Sequence, residues 1–166
     1  MAITKPAEPQ DADAIAELLD ELDRFYGATE TEPRALRIEQ IRRALFENPP
    51  SAYALLAWEG DKLVGFAAYS FLWPAAGVTR SLYLKELYVV EEFRRSGIGQ
   101  LLMQSIFDTA ARNECSRVEW ATDTFNADAQ RFYERLGFKT LSTKVDYRVE
   151  GEQLLQATQA VSGASS

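Results

Sequence analysis

The apolar positions of this chain change period as it runs. Ile15, Leu18, Leu19 and Leu22 recur at the i, i+3, i+4, i+7 spacing of one helical face, with Asp11 or Asp13 placed to cap its start and Gly27 to close it. Pro33 stands where a second helix opens, with Leu36, Ile41, Leu45 and Phe46 as its apolar positions and Asn48-Pro49-Pro50 as its stop. The pattern then turns strand-like. Ala52–Trp58 is apolar, Glu59-Gly60-Asp61 is a turn, and Lys62–Leu72 is the returning arm of the hairpin. After a loop at Trp73–Gly77, Ser81–Val90 is another strand, rich in Tyr, Leu and Val. Helical spacing returns over Gly97–Arg112 and over Asn126–Leu136, the second stopped by Gly137, with a short strand at Arg117–Ala121 between them. Ala2–Lys5 and Thr140–Val149 are further candidate strands, and the Gln, Ala and Ser-rich end of the chain is expected to fray. These elements predict an α/β (α+β) fold. One domain spans residues 1–150, with a mixed, mostly antiparallel central sheet of about six to seven strands and about four flanking helices, and residues 151–166 form a flexible tail.

Composition narrows the chemistry. The chain has 166 residues, 46% hydrophobic and 26% charged, the balance of an ordinary globular domain. It contains no histidine, so a Ser–His–Asp or Cys–His centre is impossible. A single cysteine, Cys115, builds neither a zinc site nor an internal disulfide, which fits a reducing compartment. The net charge of −7 argues against nucleic acid and favours cationic partners. No apolar run is long enough for a membrane span or a signal peptide, so a cytoplasmic location is expected.

Between the strand ending near Val90 and the helix starting near Gly97 lies Arg94-Arg95-Ser96-Gly97-Ile98-Gly99-Gln100. A helix N-terminus offers unpaired N–H groups to phosphate, glycines let the backbone approach an oxyanion closely, and arginines add full charge. The segment lacks the Gly-Lys-Ser/Thr of a P-loop and the third glycine of a dinucleotide fingerprint. Alone, it is also what a tightly packed basic turn looks like. One strand later comes Asn126-Ala127-Asp128-Ala129-Gln130-Arg131-Phe132-Tyr133, running on to Gly137-Phe138.

With both segments in this order, the chain resembles the Gcn5-related N-acetyltransferase (GNAT) superfamily from the first helix to Val149. Within it, Leu82–Val89 and Asp146-Tyr147-Arg148 are similar to diamine (spermidine/spermine-type) acetyltransferases, and Glu119-Trp120 is similar to some bacterial members. The resemblance implies a single GNAT-like domain, a homodimer, and acetyl-CoA as cosubstrate with no metal. It implies that Arg94–Gln100 holds the pyrophosphate, that Leu87, Tyr88 and Val89 bond the acetyl-pantetheine arm through their backbone, and that Asn126 bonds the same arm. Asn126 is equally placed to be a helix cap.

Acetyl transfer to an amine needs a base, an oxyanion donor and an acid for the departing thiolate. A carboxylate, a backbone N–H and a phenol supply these without histidine. The resemblance places Tyr133 beside the sulfur as the acid, although Phe132 and Tyr133 also read as helix core. Glu86 is the candidate base, because a carboxylate in an apolar strand is costly unless paired or used. The diamine enzymes usually carry two adjacent acids here, and Lys85 replaces the first. Glu119 on the neighbouring strand is the second candidate. Asp20, Glu21, Asp23, Glu30 and Glu32 gather near the region that the resemblance assigns to the acceptor, either to attract a cationic amine or as a solvated face. Tyr26, Phe71, Trp73 and Tyr83 are candidate walls for an acceptor slot.

The reading is an N-acetyltransferase moving acetyl from acetyl-CoA to the primary amine of a small cationic, diamine- or polyamine-like acceptor by direct attack in a ternary complex. Its rivals are a protein lysine or N-terminal acetyltransferase and a non-catalytic acetyl-CoA sensor.

Overall fold

The computed structural model of the chain describes residues 1–163. The chain divides into two compact units, Met1–Ala121 and Thr122–Ser166.

The first unit is built on five strands: β1 (Ile3–Pro6), β2 (Tyr53–Glu59), β3 (Lys62–Leu72), β4 (Ser81–Val89) and β5 (Arg117–Trp120). They lie in that order in one sheet, antiparallel up to β4, with β4 and β5 parallel. The parallel step requires a crossover, which is helix α3 (Ile98–Arg112). Helices α1 (Ala12–Phe25) and α2 (Arg34–Phe46) precede the hairpin.

Side-chain alternation assigns the two faces of the sheet. Leu56, Phe66 and Tyr88 pack with Ile15, Leu18, Leu22 and Ile41 in the main core, so this face carries α1 and α2. Gly65 lies on the other face, where a Cβ would stand 3.0 Å from Leu102 and 3.1 Å from Ile98 of α3. Gly65→Ala therefore pushes α3 off the sheet. The expected cost is about 1–3 kcal/mol in urea or thermal unfolding, and an unchanged midpoint would show that α3 shifts freely.

Two sequence expectations change here. Leu36 of α2 is exposed and Arg37 is buried in its place. The guanidinium bonds Asp23 of α1 and Glu32 of the connecting loop (2.7 Å to Glu32), so burial of its stem is combined with two charge partners. The sheet also has five strands among the described residues rather than six or seven.

The second unit contains α4 (Ala127–Arg135) and α5 (Gly151–Gly163). Thr140–Val149, expected as a strand, is irregular. A strand exists only beside a partner, and this unit by itself holds no other strand among its described residues. The expected tail contains helix α5, and residues 164–166 lie outside the described residues. The helices thus number five among the described residues. The α/β class holds.

Candidate active site

The register of β3 on β4 slips once. Ala68 pairs with Glu86, but Tyr69 pairs with Leu84, which leaves Lys85 as the extra residue of a bulge. On β3, Tyr69 shares the α3 face with Gly65, whereas Phe66 and Ala68 point to the α1/α2 face. The bulge therefore turns Glu86 onto the α1/α2 face together with Tyr88. Without it, the carboxylate would point at α3. Glu86 is half-buried and Lys85 is exposed.

β4 also outruns its parallel neighbour. The β4–β5 ladder stops at Leu84 and Trp120. Within this unit, Lys85–Val89 has β3 on one side and no strand on the other. The Val90 N–H donates to the Val64 carbonyl (3.0 Å), so Phe66 and Tyr88 exchange hydrogen bonds and Leu87 and Val89 do not. Leu87 and Val89 thus present N–H and C=O to the open edge, and the Tyr88 backbone is spent on β3. One of these outward groups is occupied, because Arg94 donates its Nε–H to the Val89 carbonyl (2.9 Å).

The chain then enters the glycine segment. Arg95 (φ 63) and Gly97 (φ 86) are both left-handed, a conformation that a bulky side chain adopts only at a cost. Turns of this kind can aim successive N–H groups into one concavity, which suits an anion. Ser96 donates its hydroxyl to the Phe93 carbonyl and fixes the turn. The first α3 backbone bond runs from the Leu101 N–H to the Gly97 carbonyl (3.0 Å), which leaves the N–H groups of Ile98, Gly99 and Gln100 without intrahelical acceptors. An open strand edge leading to a helix N-terminus fits a ligand with amides at one end and phosphates at the other.

The sequence matches the acetyltransferase (GNAT) family over residues 15–138, well over half of the chain. The chain belongs to this family. It is an N-acetyltransferase that uses acetyl-CoA as cosubstrate. It is 27% identical to the thialysine N-epsilon-acetyltransferase of Mus musculus, over 93% of this chain and 96% of that one. It is 30% identical to the D-amino-acid N-acetyltransferase HPA3 of Saccharomyces cerevisiae, over 90% of this chain and 91% of that one. Among solved structures, an integron cassette protein from V. cholerae superposes with a TM-score of 0.88 at 26% identity, covering 95% of this chain and 98% of that one.

In this GNAT acetyltransferase the acidic residues of the α1 end divide sharply. Asp20 accepts from Thr31 and from Arg24 (2.9 Å), and these bonds hold its carboxyl below the usual carboxylate range. Glu32 is likewise held low, first by its own backbone N–H and then by Arg37. Asp23 is tied to Arg37. Three of the five acids are thus paired within the α1–α2 connection. Glu21 instead accepts from the Tyr88 hydroxyl (2.9 Å), and burial followed by this carboxylate pushes the Tyr88 phenol up to about 12.

The lowered carboxyls make the connection acid-sensitive. Their folded values lie below the unfolded ones, so their contribution is complete above about pH 4 and is lost as pH falls through the depressed values. Amide protection over residues 27–32 should be flat from pH 7 to 5 and drop below about pH 4. Protection unchanged at pH 2–3 would show that these ion pairs do not hold the loop.

Other sequence candidates fall elsewhere. Glu119 accepts from Ser81 (3.0 Å) and lies 3.7 Å from Arg117, a structural use of that carboxylate. Phe71 packs edge-on against Tyr53 and Tyr69 and carries Arg80, on the sheet face opposite Glu86. Trp73 donates its indole N–H to Val78 and pins its own loop. Tyr26 packs edge-on against Phe25. In the second unit, Asn126 Oδ1 accepts from the Ala129 N–H (3.2 Å) and caps α4. Tyr133 is half-buried on α4, with its ring 5.2 Å from that of Phe132.

Sequence reasoning passed over Phe25 as a site residue and placed Glu21 only within the acidic cluster. Their i, i+4 spacing puts them on one face of the last turns of α1, but only the fold reveals that this face meets Tyr88 and Arg94.

Proposed function

We propose that this enzyme acetylates the primary amine of a small, amino-acid-sized acceptor carrying a second charged amine, by direct attack with both substrates bound. The observation that carries the reading is the bulge at Lys85, which sets the Glu86 carboxylate on the α1/α2 face next to the open β4 edge. Glu86 takes the proton of the acceptor ammonium, directly or through water. The arm of the cosubstrate adds to β4 as an extra strand, with the outward N–H and C=O of Leu87 and the N–H of Val89 as partners. One of these N–H groups polarises the thioester carbonyl. Arg95, Ser96, Gly97, Ile98, Gly99 and Gln100 cradle the pyrophosphate. Tyr133 gives its phenolic proton to the departing sulfur, a role that rests on its place in the Asn126–Phe138 motif. The Asn126 side-chain N–H groups remain available to the arm, since the cap uses its oxygen.

The pairing of Asp20, Asp23 and Glu32 with Arg24 and Arg37 weakens the acidic field at the end of α1, which supports a compact diamine over a long polyamine. The relatives named for thialysine and for D-amino acids point the same way. A homodimer is proposed on the family likeness alone.

Thiol release from acetyl-CoA over an amine panel tests this. The panel holds thialysine, ornithine, D-amino acids, putrescine, spermidine, aminoglycosides and lysine peptides. The highest kcat/KM is expected for diamino acids. Preference for spermidine would restore the polyamine reading, and turnover of peptides alone would make the protein a protein acetyltransferase. Tight CoA binding with no release would make it a sensor.

A further inference from the structure

Arg94 opens the phosphate-binding segment, yet its guanidinium is held elsewhere. Its Cζ lies 4.6 Å from the ring centre of Phe25 on α1 and 5.4 Å from that of Tyr88 on β4. Those two rings are themselves 6.1 Å apart. Its Nε is committed to the Val89 carbonyl at 2.9 Å. Tyr88 completes the link by donating to Glu21, one turn before Phe25 on the same helix. A cation over an aromatic face is attracted to it, and planar arginine also stacks flat on the ring, which an ammonium cannot do. Arg95 is exposed like Arg94 and sits in a left-handed turn.

We infer that Arg94 is a positioning residue rather than a phosphate ligand: stacked on Phe25 and Tyr88 and bonded to Val89, it ties the cosubstrate loop to helix α1 and couples acceptor binding to cosubstrate binding. The inference rests on the proposed function in one respect, that the acceptor reaches Glu86 from the α1/α2 face. Holding the Val89 carbonyl sets the strand edge that the acetyl-pantetheine arm joins. Holding Phe25, with Tyr88 holding Glu21, sets the end of α1 beside which the acceptor binds. A disturbance of either partner reaches both substrates, and coupling of this kind is reciprocal.

Kinetics with acetyl-CoA and with acetyl-pantetheine, which lacks the pyrophosphate, separate the two roles. Wild-type thiol release with acetyl-CoA is measured first, and its absence would remove the acetyltransferase reading itself rather than the role of Arg94. Arg94→Lys keeps the charge and loses the stack. It is expected to lower kcat/KM roughly tenfold with both donors and to raise the acceptor KM at saturating acetyl-CoA. Phe25→Leu keeps apolar cover over Tyr88 and loses the ring face. It should reproduce the acceptor KM effect, and the double variant should be little worse than either single one. Arg95→Ala, the phosphate control, should penalise acetyl-CoA alone.

A loss at Arg94→Lys confined to acetyl-CoA would overturn the inference, as would wild-type behaviour of that variant or additive effects of the two substitutions. If the wild type does not turn over acetyl-pantetheine, the acceptor KM at saturating acetyl-CoA decides, because a phosphate ligand leaves it unchanged. Far-ultraviolet circular dichroism checks that each variant is folded, and Phe25→Tyr, which retains a ring, should rescue the coupling.

Discussion

Glu86→Gln should lower kcat by about 10²–10⁴-fold while leaving acetyl-CoA binding intact. The magnitude follows from the acceptor. An alkyl amine has a pKa near 10.4, so at pH 7 only about one molecule in 10³ carries the lone pair that attacks. In the proposed mechanism the Glu86 carboxylate accepts the amine proton as the N–C bond forms, which lowers that barrier. Glutamine keeps the size and hydrogen-bonding reach of the side chain and lacks the basicity, so the loss reads proton transfer rather than packing. The defect should also shrink as pH rises toward the amine pKa, about tenfold per unit, since the acceptor then arrives already deprotonated. A variant with undiminished turnover, or with a defect independent of pH, would move the proton to another group.

Tyr133→Phe is the second large effect, expected at the lower end of the same range, about 10²-fold in kcat with the acetyl-CoA KM unchanged. The departing thiol has a pKa near 8.5, so its thiolate leaves acceptably without help, and a phenol near 10 assists rather than enables. The base therefore matters more than the acid. A donor with a better leaving group should reduce the Tyr133→Phe defect and leave the Glu86→Gln defect in place. Equal turnover of mutant and parent would remove Tyr133 from the mechanism.

Much of the architecture is legible without coordinates because it is local. The helices at α1, α3 and α4 and the hairpin of β2 and β3 appear as changes of apolar period with Gly or Pro at their ends, and their limits agree within a residue or two. The Arg94–Gly99 segment is legible for the same reason: left-handed turns and close backbone approach call for glycine at fixed offsets. The strand expected at Thr140–Val149 was beyond reach of this logic, since alternation marks the ability to pair and says nothing of a partner.

The charged residues show the opposite case. Five acids near the end of α1 are indistinguishable in the sequence, yet Thr31, Arg24 and Arg37 claim three of them and Tyr88 a fourth. Arg37 itself reads as a surface residue until Asp23 and Glu32 meet it. Arg94 reads as a phosphate ligand until Phe25 is placed beneath it. Glu86 reads as a buried carboxylate of undecided direction until the register slip at Lys85 turns it to the α1/α2 face.

The sequence by itself determined the element order as far as α4, the glycine turn before α3, the family and a chemistry that runs without histidine, because each depends on neighbours a few residues apart. Only the tertiary structure decided which carboxylates are paired, which backbone groups of β4 face outward and which way Glu86 points. Those are properties of pairs far apart in the chain, and their free energies exist only once both partners are brought together.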